Sequence, residues 1–238
     1  MITPYTDDLV VSVAGTRVKI SRPGGLSLTQ PSATLSDTPQ AMAQVKSEPS
    51  FLDFANWGRL TGGSFLATQR RLSQDVARLS GANANHARLI LARFYLANHF
   101  ASEALGLIEV IQTQDSSLQG DTQLTVMRAA ANIMMGRYRD ARNTLASGGF
   151  DFNPHAALWR GLNEASQDNW SKTHDDMVLA GPVLKRYPAE WQARADLADA
   201  EAALGLKRLE LADAALNRLP ADLSHHDALQ AQLARARI

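Results

Sequence analysis

Six histidines are the residues of this chain best suited to metal binding or general acid–base chemistry. None stands in an HExxH pattern or four residues from another histidine, the spacing that brings two imidazoles to one helical face. His225 and His226 are adjacent, so on a helix their side chains point about 100° apart. Ser224 precedes them and Asp227 follows, which is typical of a polar helix N-terminus. The sequence therefore predicts no metal site there.

A second candidate for chemistry is the stretch THDD, residues 173–176, which holds a histidine and two carboxylates. Consecutive residues on a helix fan out, whereas a catalytic pair must converge within hydrogen-bond reach, so this stretch predicts a solvent-exposed face. The paired glycines in RPGGLS and LTGGSF lack the lysine and the context of a phosphate-binding loop, and no GxSxG motif occurs. We expect no enzymatic activity and no cofactor.

Charge and composition narrow the classes of partner. Lysine plus arginine and aspartate plus glutamate balance at 24 each, which does not favour nucleic acid. The chain has no cysteine, which excludes disulfides, thiol catalysis and cysteine-ligated zinc. No apolar run approaches the roughly 18 residues that a membrane span needs. We expect a protein or peptide partner, no nucleic acid and no membrane insertion.

Two segments precede the helical part of the chain. In residues 1–22, β-branched residues alternate on both sides of the sequence AGT at positions 14–16, and this pattern predicts a β-hairpin. Residues 23–49 hold four of the nine prolines, many serines and threonines and no aromatic residue, which predicts a linker. Residues 50–238 follow with a helical period, beginning with SFLDFANWGRL, and predict an all-α repeat domain.

A glycine, an aromatic residue and an alanine stand at fixed offsets in the stretch GRYRDA. This stretch resembles the helix junction of the tetratricopeptide repeat (TPR), and helix pairs recur at about 34 residues, the period of that family. The resemblance implies that Gly136 ends a first helix in a left-handed backbone, which glycine adopts at little cost. Tyr138 then begins a second helix, and Ala141 must be small because the two helices cross there.

The same offsets recur with variations in three further units, and the resemblance covers roughly residues 84–220. In the unit LARFYLANHFASEAL, Asn98 or His99 replaces the glycine, and one extra residue precedes the small position of the second helix. Asp168 and Asn169 occupy the turn of the next unit. The remaining repeat positions carry small or aromatic side chains and are Ala92, Tyr95, Phe100, Ala104, Gly161, Trp170, Thr173, Ala198, Gly205 and Ala212.

The TPR resemblance implies a right-handed α-solenoid of antiparallel helix pairs, with a concave groove lined by the first helices. In that family the groove usually binds a peptide or protein and performs no chemistry. Arg93 is the expected contact for an acidic partner, because a guanidinium can bind a carboxylate bidentately; the alternative is a salt bridge from Arg93 to a neighbouring helix. The residues expected to line the groove are His86, Leu89, Arg93, Gln123, Val126 and Ala130.

A second resemblance concerns the layout of the chain. A hairpin, a linker and helical repeats, together with FLDFANW, LARFYLA and ANIMMGRY, resemble stretches of large, little-characterised bacterial envelope proteins. This resemblance implies an alternative role as a structural or self-assembling segment of a larger envelope protein. It also implies a periplasmic or envelope location if the chain is a fragment of an exported protein, and a cytoplasmic one otherwise.

The last stretch, SHHDALQAQLARARI, predicts a first helix with Leu229, Leu233 and Ala236 on one face and no second helix after it. Solenoids normally end in a capping helix with a polar outer face. Ile238 ends the sequence without a helix stop signal. The sequence therefore predicts that the native polypeptide continues and that an apolar strip is exposed here, which favours self-association of copies.

Overall fold

The computed structural model describes residues 10–14, 17–21, 50–60, 63–146 and 149–238. The chain divides into two compact units, residues 1–46 and residues 47–238. In the first unit, β1 (Val10–Ala14) pairs antiparallel with β2 (Arg17–Ser21), and Val13 lies opposite Val18. The glycine and threonine of the predicted hairpin turn and the predicted linker at 23–49 lie outside the described residues.

The described part of residues 47–238 is α-helical, which confirms the predicted all-α class for this unit. A short 3₁₀ helix, Ser116–Leu118, precedes α5. Among the described residues, no helix is both long enough and apolar enough to cross a lipid bilayer. The α-helices in these ranges are α1 (Phe54–Trp57), α2 (Phe65–Arg78), α3 (Gly81–Ala97), α4 (Ala101–Gln114), α5 (Thr122–Met134), α6 (Tyr138–Ala146), α7 (Pro154–Ala165), α8 (Trp170–Leu184), α9 (Ala189–Gly205), α10 (Leu209–Leu216) and α11 (His225–Arg235).

Eight of these helices form four pairs, each made of a first helix and a second helix: α3 with α4, α5 with α6, α7 with α8, and α9 with α10. Three or four residues connect the two helices of a pair, and such short connections make neighbouring helices antiparallel. Successive first helices also contact one another, and α11 contacts α9. The first helices and α11 therefore form a continuous layer, and the side-chain surface of this layer is called the first-helix surface below.

The same backbone turn joins the two helices of every pair. In the second pair, Gly136 has the left-handed φ of 71° expected from the sequence. Its N–H donates to the carbonyl of Ile133, and the N–H of Arg137 donates to the carbonyl of Asn132 at 2.8 Å. These two bonds define a Schellman motif, which satisfies the last carbonyls of the helix. The left-handed residues of the four turns are His99, Gly136, Asp168 and Lys207.

The turn corrects the repeat register in the first pair. His99 is the left-handed residue, with a φ of 66°. Because the second helix begins two residues after the left-handed one, α4 begins at Ala101, as α6 begins at Tyr138. Ala101 therefore corresponds to Tyr138, and the assignment of Phe100 to that position was wrong. No extra residue separates the turn from Ala104 once this register is used.

The fourth pair needs a similar correction. Its left-handed residue is Lys207, with a φ of 59°. Ala200, rather than Ala198, then holds the small first-helix position, and Ala200 is fully buried. Gly205 is the last residue of α9 and has a different role, because a Cβ there would lie 2.3 Å from a ring atom of Trp170. Gly205 thus lets the first residue of α8 approach the end of α9.

Small side chains line the crossing of the two helices in each pair. At Gly161, a Cβ would lie 2.7 Å from the terminal methyl of Met177 and 3.1 Å from the Cβ of Asp176 on the facing helix, so a larger residue would have to displace these side chains. Every member of this set is buried, and the eight positions are Ala92, Ala104, Ala129, Ala141, Gly161, Thr173, Ala200 and Ala212. The close approach of each pair is built from these residues.

Candidate functional site: the first-helix surface

Residues 50–58, SFLDFANWG, lie on the first-helix surface and are called the aromatic segment below. The sequence predicts a helix here, but the structure has only the single turn of α1. Asp53 caps this turn by accepting a hydrogen bond from the backbone N–H of Asn56. A helix of one turn has little stability of its own. The position of the segment therefore depends on the contacts of its side chains.

The centre of the aromatic segment is buried against two first helices. Leu52 is fully buried and Phe54 is 5% exposed. The ring centroid of Phe54 lies 5.9 Å from that of Trp159 on α7 and 5.6 Å from that of Trp191 on α9. These distances fall in the range of favourable aromatic pairs. Phe54 therefore bridges α7 and α9.

The N-terminal end of the segment contacts the start of α7. The Nδ2 of Asn153 donates to the Oγ of Ser50 at 2.9 Å. The ring of Phe51 lies 5.1 Å from the imidazole of His155, and the guanidinium carbon of Arg186 lies 4.1 Å from the Phe51 centroid. A guanidinium at this distance from a ring makes a cation–π contact. Phe51 is thus held by an aromatic and a cationic neighbour.

The C-terminal end of the segment contacts α3. The guanidinium carbon of Arg93 lies 5.3 Å from the ring centroid of Trp57, a second cation–π contact. At Gly58 a Cβ would lie 3.6 Å from the Cβ of Ala97. The nine residues of the aromatic segment therefore extend across α3, α7 and α9.

A cavity of about 490 Å³ adjoins the aromatic segment and is called the groove cavity below. Trp191 borders both, since it stacks on Phe54 and also lines the cavity. Four helices of the first-helix layer contribute to the lining, together with the first residues of α6 and α8. The lining residues are Ile133, Met134, Tyr138, Leu162, Ala165, Trp170, Trp191, Arg194, Leu197, Ala198, Glu201, His226, Asp227 and Gln230.

Three charged residues that line the groove cavity, Arg194, Glu201 and Asp227, are engaged in ion pairs or at a helix end, and Glu201 pairs with Arg237. Arg194 forms an ion pair with Glu190 at 2.8 Å and lies over the ring of Trp191. The backbone N–H of Asp227 donates to Ser224 Oγ, which in turn donates to the Asp227 carboxylate. This reciprocal cap agrees with the polar helix start predicted at the adjacent histidines. The lining of the cavity combines apolar side chains with polar and charged ones.

Four of the six residues expected to line the groove, His86, Leu89, Arg93 and Gln123, border a separate cavity of about 410 Å³ between α3 and α5. The other two, Val126 and Ala130, are fully buried, so their assignment to a groove was wrong. Helix α5 is in contact with α3, α4, α6 and α7. These helices cover the face of α5 that carries Val126 and Ala130.

Arg93 does not form the salt bridge to a neighbouring helix that was the alternative to a partner contact. Within the described ranges, no carboxylate lies at ion-pair distance from Arg93. Instead its guanidinium donates a hydrogen bond to Gln123 Oε1 and stacks on Trp57, and its Nε is buried without a partner. Burial lowers the pKa of Arg93, and Asp121 opposes this effect. The side chain connects α3, α5 and the aromatic segment.

In the stretch THDD, Thr173 and Asp176 are buried, His174 is partly buried and Asp175 is exposed, so the predicted solvent-exposed face is wrong for two of the four residues. Asp176 accepts a hydrogen bond from Arg160 Nε at 2.9 Å, and His174 Nδ1 lies 2.9 Å from a carboxylate oxygen of Asp199. Burial raises the pKa of Asp176, while Arg160 opposes this shift. Helix α8 lies between α7 and α9, so these groups join the three helices. Within the part of the chain described, no three His, Asp or Glu side chains are grouped to hold a metal ion.

Comparison of the chain with family models, curated proteins and solved structures finds no match. The functional conclusion therefore rests on the geometry of the first-helix surface.

Proposed function

We propose that the chain is a non-enzymatic repeat scaffold, a right-handed TPR-like α-solenoid, that binds a protein or peptide through the first-helix surface. Support comes from the four Schellman turns and from the small residues at every pair crossing. A contact across the layer also supports a concave surface, since His99 at the first turn pairs with Glu190 on α9 at 3.1 Å. Two helix pairs lie between these residues in the sequence.

The observation that carries this proposal is the groove cavity. Four helices of one layer converge on it, and its walls combine apolar side chains with a few charged ones, as in sites that bind peptides. Arg194, Glu201 and Asp227 in its lining already serve in ion pairs or a helix cap. Peptide binding itself needs no catalytic group and no cofactor. We assign the chain neither.

The test uses two matched variants of α11. Gln230 lines the groove cavity, and Gln232 is exposed on the same helix away from it. Peptides selected from a random display library against the purified chain are titrated against wild type, Gln230→Trp and Gln232→Trp. An indole at position 230 fills part of the cavity, so the affinity should fall about tenfold or more, whereas Gln232→Trp should leave it unchanged.

Equal affinities for the two tryptophan variants would remove the groove cavity as the binding site. Thermal unfolding of both variants is the control, because the comparison is valid only if both chains keep the wild-type fold.

A second function, self-assembly within a larger bacterial envelope protein, is favoured by the outer face of α11. Leu229 and Leu233 are 47% and 67% exposed, while α11 packs inward through Ala231 and Ala234. Light scattering over a concentration series compares wild type with the Leu229→Gln/Leu233→Gln variant. Association of wild type alone would support this function, and two monomeric proteins would contradict it.

A further inference from the structure

The aromatic segment is attached to the helix pairs in the way a bound peptide is attached to a receptor. Within the described ranges, its backbone hydrogen bonds stay inside the segment or reach the adjacent Arg59, as in Trp57 N–H to Asp53 O and Gly58 N–H to Phe54 O. The bonds that hold it to the helix pairs come from side chains. A single helical turn that carries Phe54 and Trp57, with Phe51 three residues before it, resembles a short helix bound in a groove.

The two ends of the segment show what chemistry this site selects. Arg186 covers the ring of Phe51 and Arg93 covers the ring of Trp57, so a guanidinium lies at each end. Trp159 and Trp191 receive the central Phe54. Aromatic rings are preferred over aliphatic side chains at the outer positions, because only a ring offers a cation–π contact.

We infer that residues 50–58 act as an intramolecular ligand of the first-helix surface, and that they occupy the site of a partner peptide with aromatic residues at the same spacing. The partner peptide carries aromatic side chains at positions i, i+3 and i+6 and an aliphatic one at i+1. It binds only when the chain's own segment is displaced. This inference rests on the proposed peptide-binding function of the same surface and adds the chemistry of the partner and a control on its access.

The absence of cysteine from the chain allows a direct test by locking the segment in place. A Cβ at position 58 would lie 3.6 Å from that of Ala97, within the Cβ–Cβ range of about 3.5–4.5 Å in disulfides. The probe is a fluorescent peptide with the sequence of residues 49–59, and its anisotropy is measured with the full chain. The oxidised Gly58→Cys/Ala97→Cys variant should not bind it, whereas the reduced form should bind as wild type does.

A variant that weakens the attachment of the aromatic segment provides the opposite test. Phe51 is half-buried at the end of the segment, so Phe51→Ala weakens the segment with little change to the core. This variant should bind the probe about tenfold more tightly than wild type, because the apparent affinity rises with the fraction of chains whose site is open. A control peptide with leucine in place of Phe51 and Trp57 should bind the same variant about fivefold or more weakly.

Hydrogen exchange of wild type supplies a measurement that needs no variant. The amides of Trp57 and Gly58 should exchange through a local opening, faster than the amides in the middle of α7. Exchange of both sets at one common, slow rate would mean that the segment is a fixed part of the core and would overturn the inference. Equal probe binding by the oxidised and reduced lock variants would overturn it as well.

The outcomes separate this inference from the proposed function. Suppose that library peptides bind the groove cavity with the Gln230 dependence described above. If the oxidised Gly58→Cys/Ala97→Cys variant then binds both these peptides and the probe as well as wild type does, the inference fails and the scaffold function stands. If library peptides show no dependence on Gln230, the scaffold function fails at that cavity independently of the lock.

Discussion

Ala141 and Gly205 illustrate how closely the helices approach one another at single residues. Ala141 is fully buried where α6 crosses α5, and Gly205 at the end of α9 faces the ring of Trp170. In a close-packed interior an added methyl group must displace a neighbour. Substitutions to larger residues at these two positions should therefore lower stability, whereas the same substitutions at exposed positions should not.

Replacing Ala141 with leucine should lower the free energy of unfolding by roughly 1–3 kcal/mol, because the added atoms overpack the crossing. Urea denaturation measures the change. Ala146→Leu is the matched control, since Ala146 is exposed at the end of the same helix. If both variants were as stable as wild type, position 141 would not lie at the crossing.

Alanine should have opposite effects at two helical glycines. At Gly205 the new Cβ would lie 2.3 Å from a Trp170 ring atom, so Gly205→Ala should destabilise by roughly 1–2 kcal/mol. At Gly106, inside α4, nothing lies within 4 Å, so Gly106→Ala should stabilise by about 0.5–1 kcal/mol through helix propensity. Thermal unfolding measures the melting temperature of each variant. A shift of both melting temperatures in the same direction would contradict the close approach of Trp170 to Gly205.

At the scale of elements, the repeated unit is a turn rather than a sequence motif. All four turns have a left-handed residue and the same pair of hydrogen bonds, but a glycine is present only at Gly136. Left-handed backbone costs a residue with a Cβ roughly 1–2 kcal/mol more than the right-handed form. The turns at His99, Asp168 and Lys207 are formed despite this cost, because the packing of the paired helices holds them.

Exchanging residue types at two turns should therefore change stability in opposite directions. Lys207→Gly should stabilise by about 1 kcal/mol, since glycine accepts the φ of 59° without steric strain. Gly136→Ala should destabilise by about 1 kcal/mol for the same reason. Chemical denaturation measures the free energy of unfolding of each variant. A loss of stability in Lys207→Gly would mean that the lysine side chain stabilises the turn through contacts of its own.

At the scale of the helical unit, the first turn and the fourth first helix are joined directly. His99 Nε2 lies 3.1 Å from a carboxylate oxygen of Glu190, and its ring stacks on Trp191. The hydrogen bond to Glu190 raises the pKa of His99, against partial burial and the charge of Arg194. The same bond lowers the pKa of Glu190. This link joins the first turn directly to α9.

The link should make stability depend on pH. The contribution of His99 is complete below its ordinary pKa of 6.5 and is lost as the pH rises through the raised folded value. The contribution of Glu190 is complete above its ordinary pKa of 4.5 and is lost as the pH falls through the lowered folded value. The pair therefore stabilises most between pH 4.5 and 6.5.

His99→Asn removes this titration and keeps a residue that tolerates the left-handed turn. The stability difference from wild type should be largest between the two ordinary pKa values and should shrink on both sides, in denaturation curves taken across the pH range. His86→Asn, at an exposed position on α3, is the control. A difference that did not vary with pH would show that the ion pair adds nothing to the link.

The site was harder to predict than the fold, and particular residues show why. His86, Leu89, Arg93 and Gln123 were assigned to one groove and do border one cavity. Helical period places the first three on one face of α3, and Gln123 joins them because α5 contacts α3. The aromatic segment was predicted only as the start of the helical region. Its contacts with α7 and α9 join Phe54 to Trp159 and Trp191, both more than a hundred positions away, and no local pattern marks such a partner.

The sequence by itself determined the helical class, the left-handed glycine at position 136 and the small residue at position 141. Each of these depends on backbone sterics or on periodicity within a few residues. The tertiary structure alone decided that His99 and Lys207 occupy the same turn position as that glycine. It also decided that Thr173 and Asp176 of the THDD stretch are buried and that the chain's own aromatic segment covers part of the first-helix surface. Whether a side chain is buried, and whether packing offsets the cost of a left-handed turn, depend on residues that are distant in sequence. Only the folded chain brings those residues together.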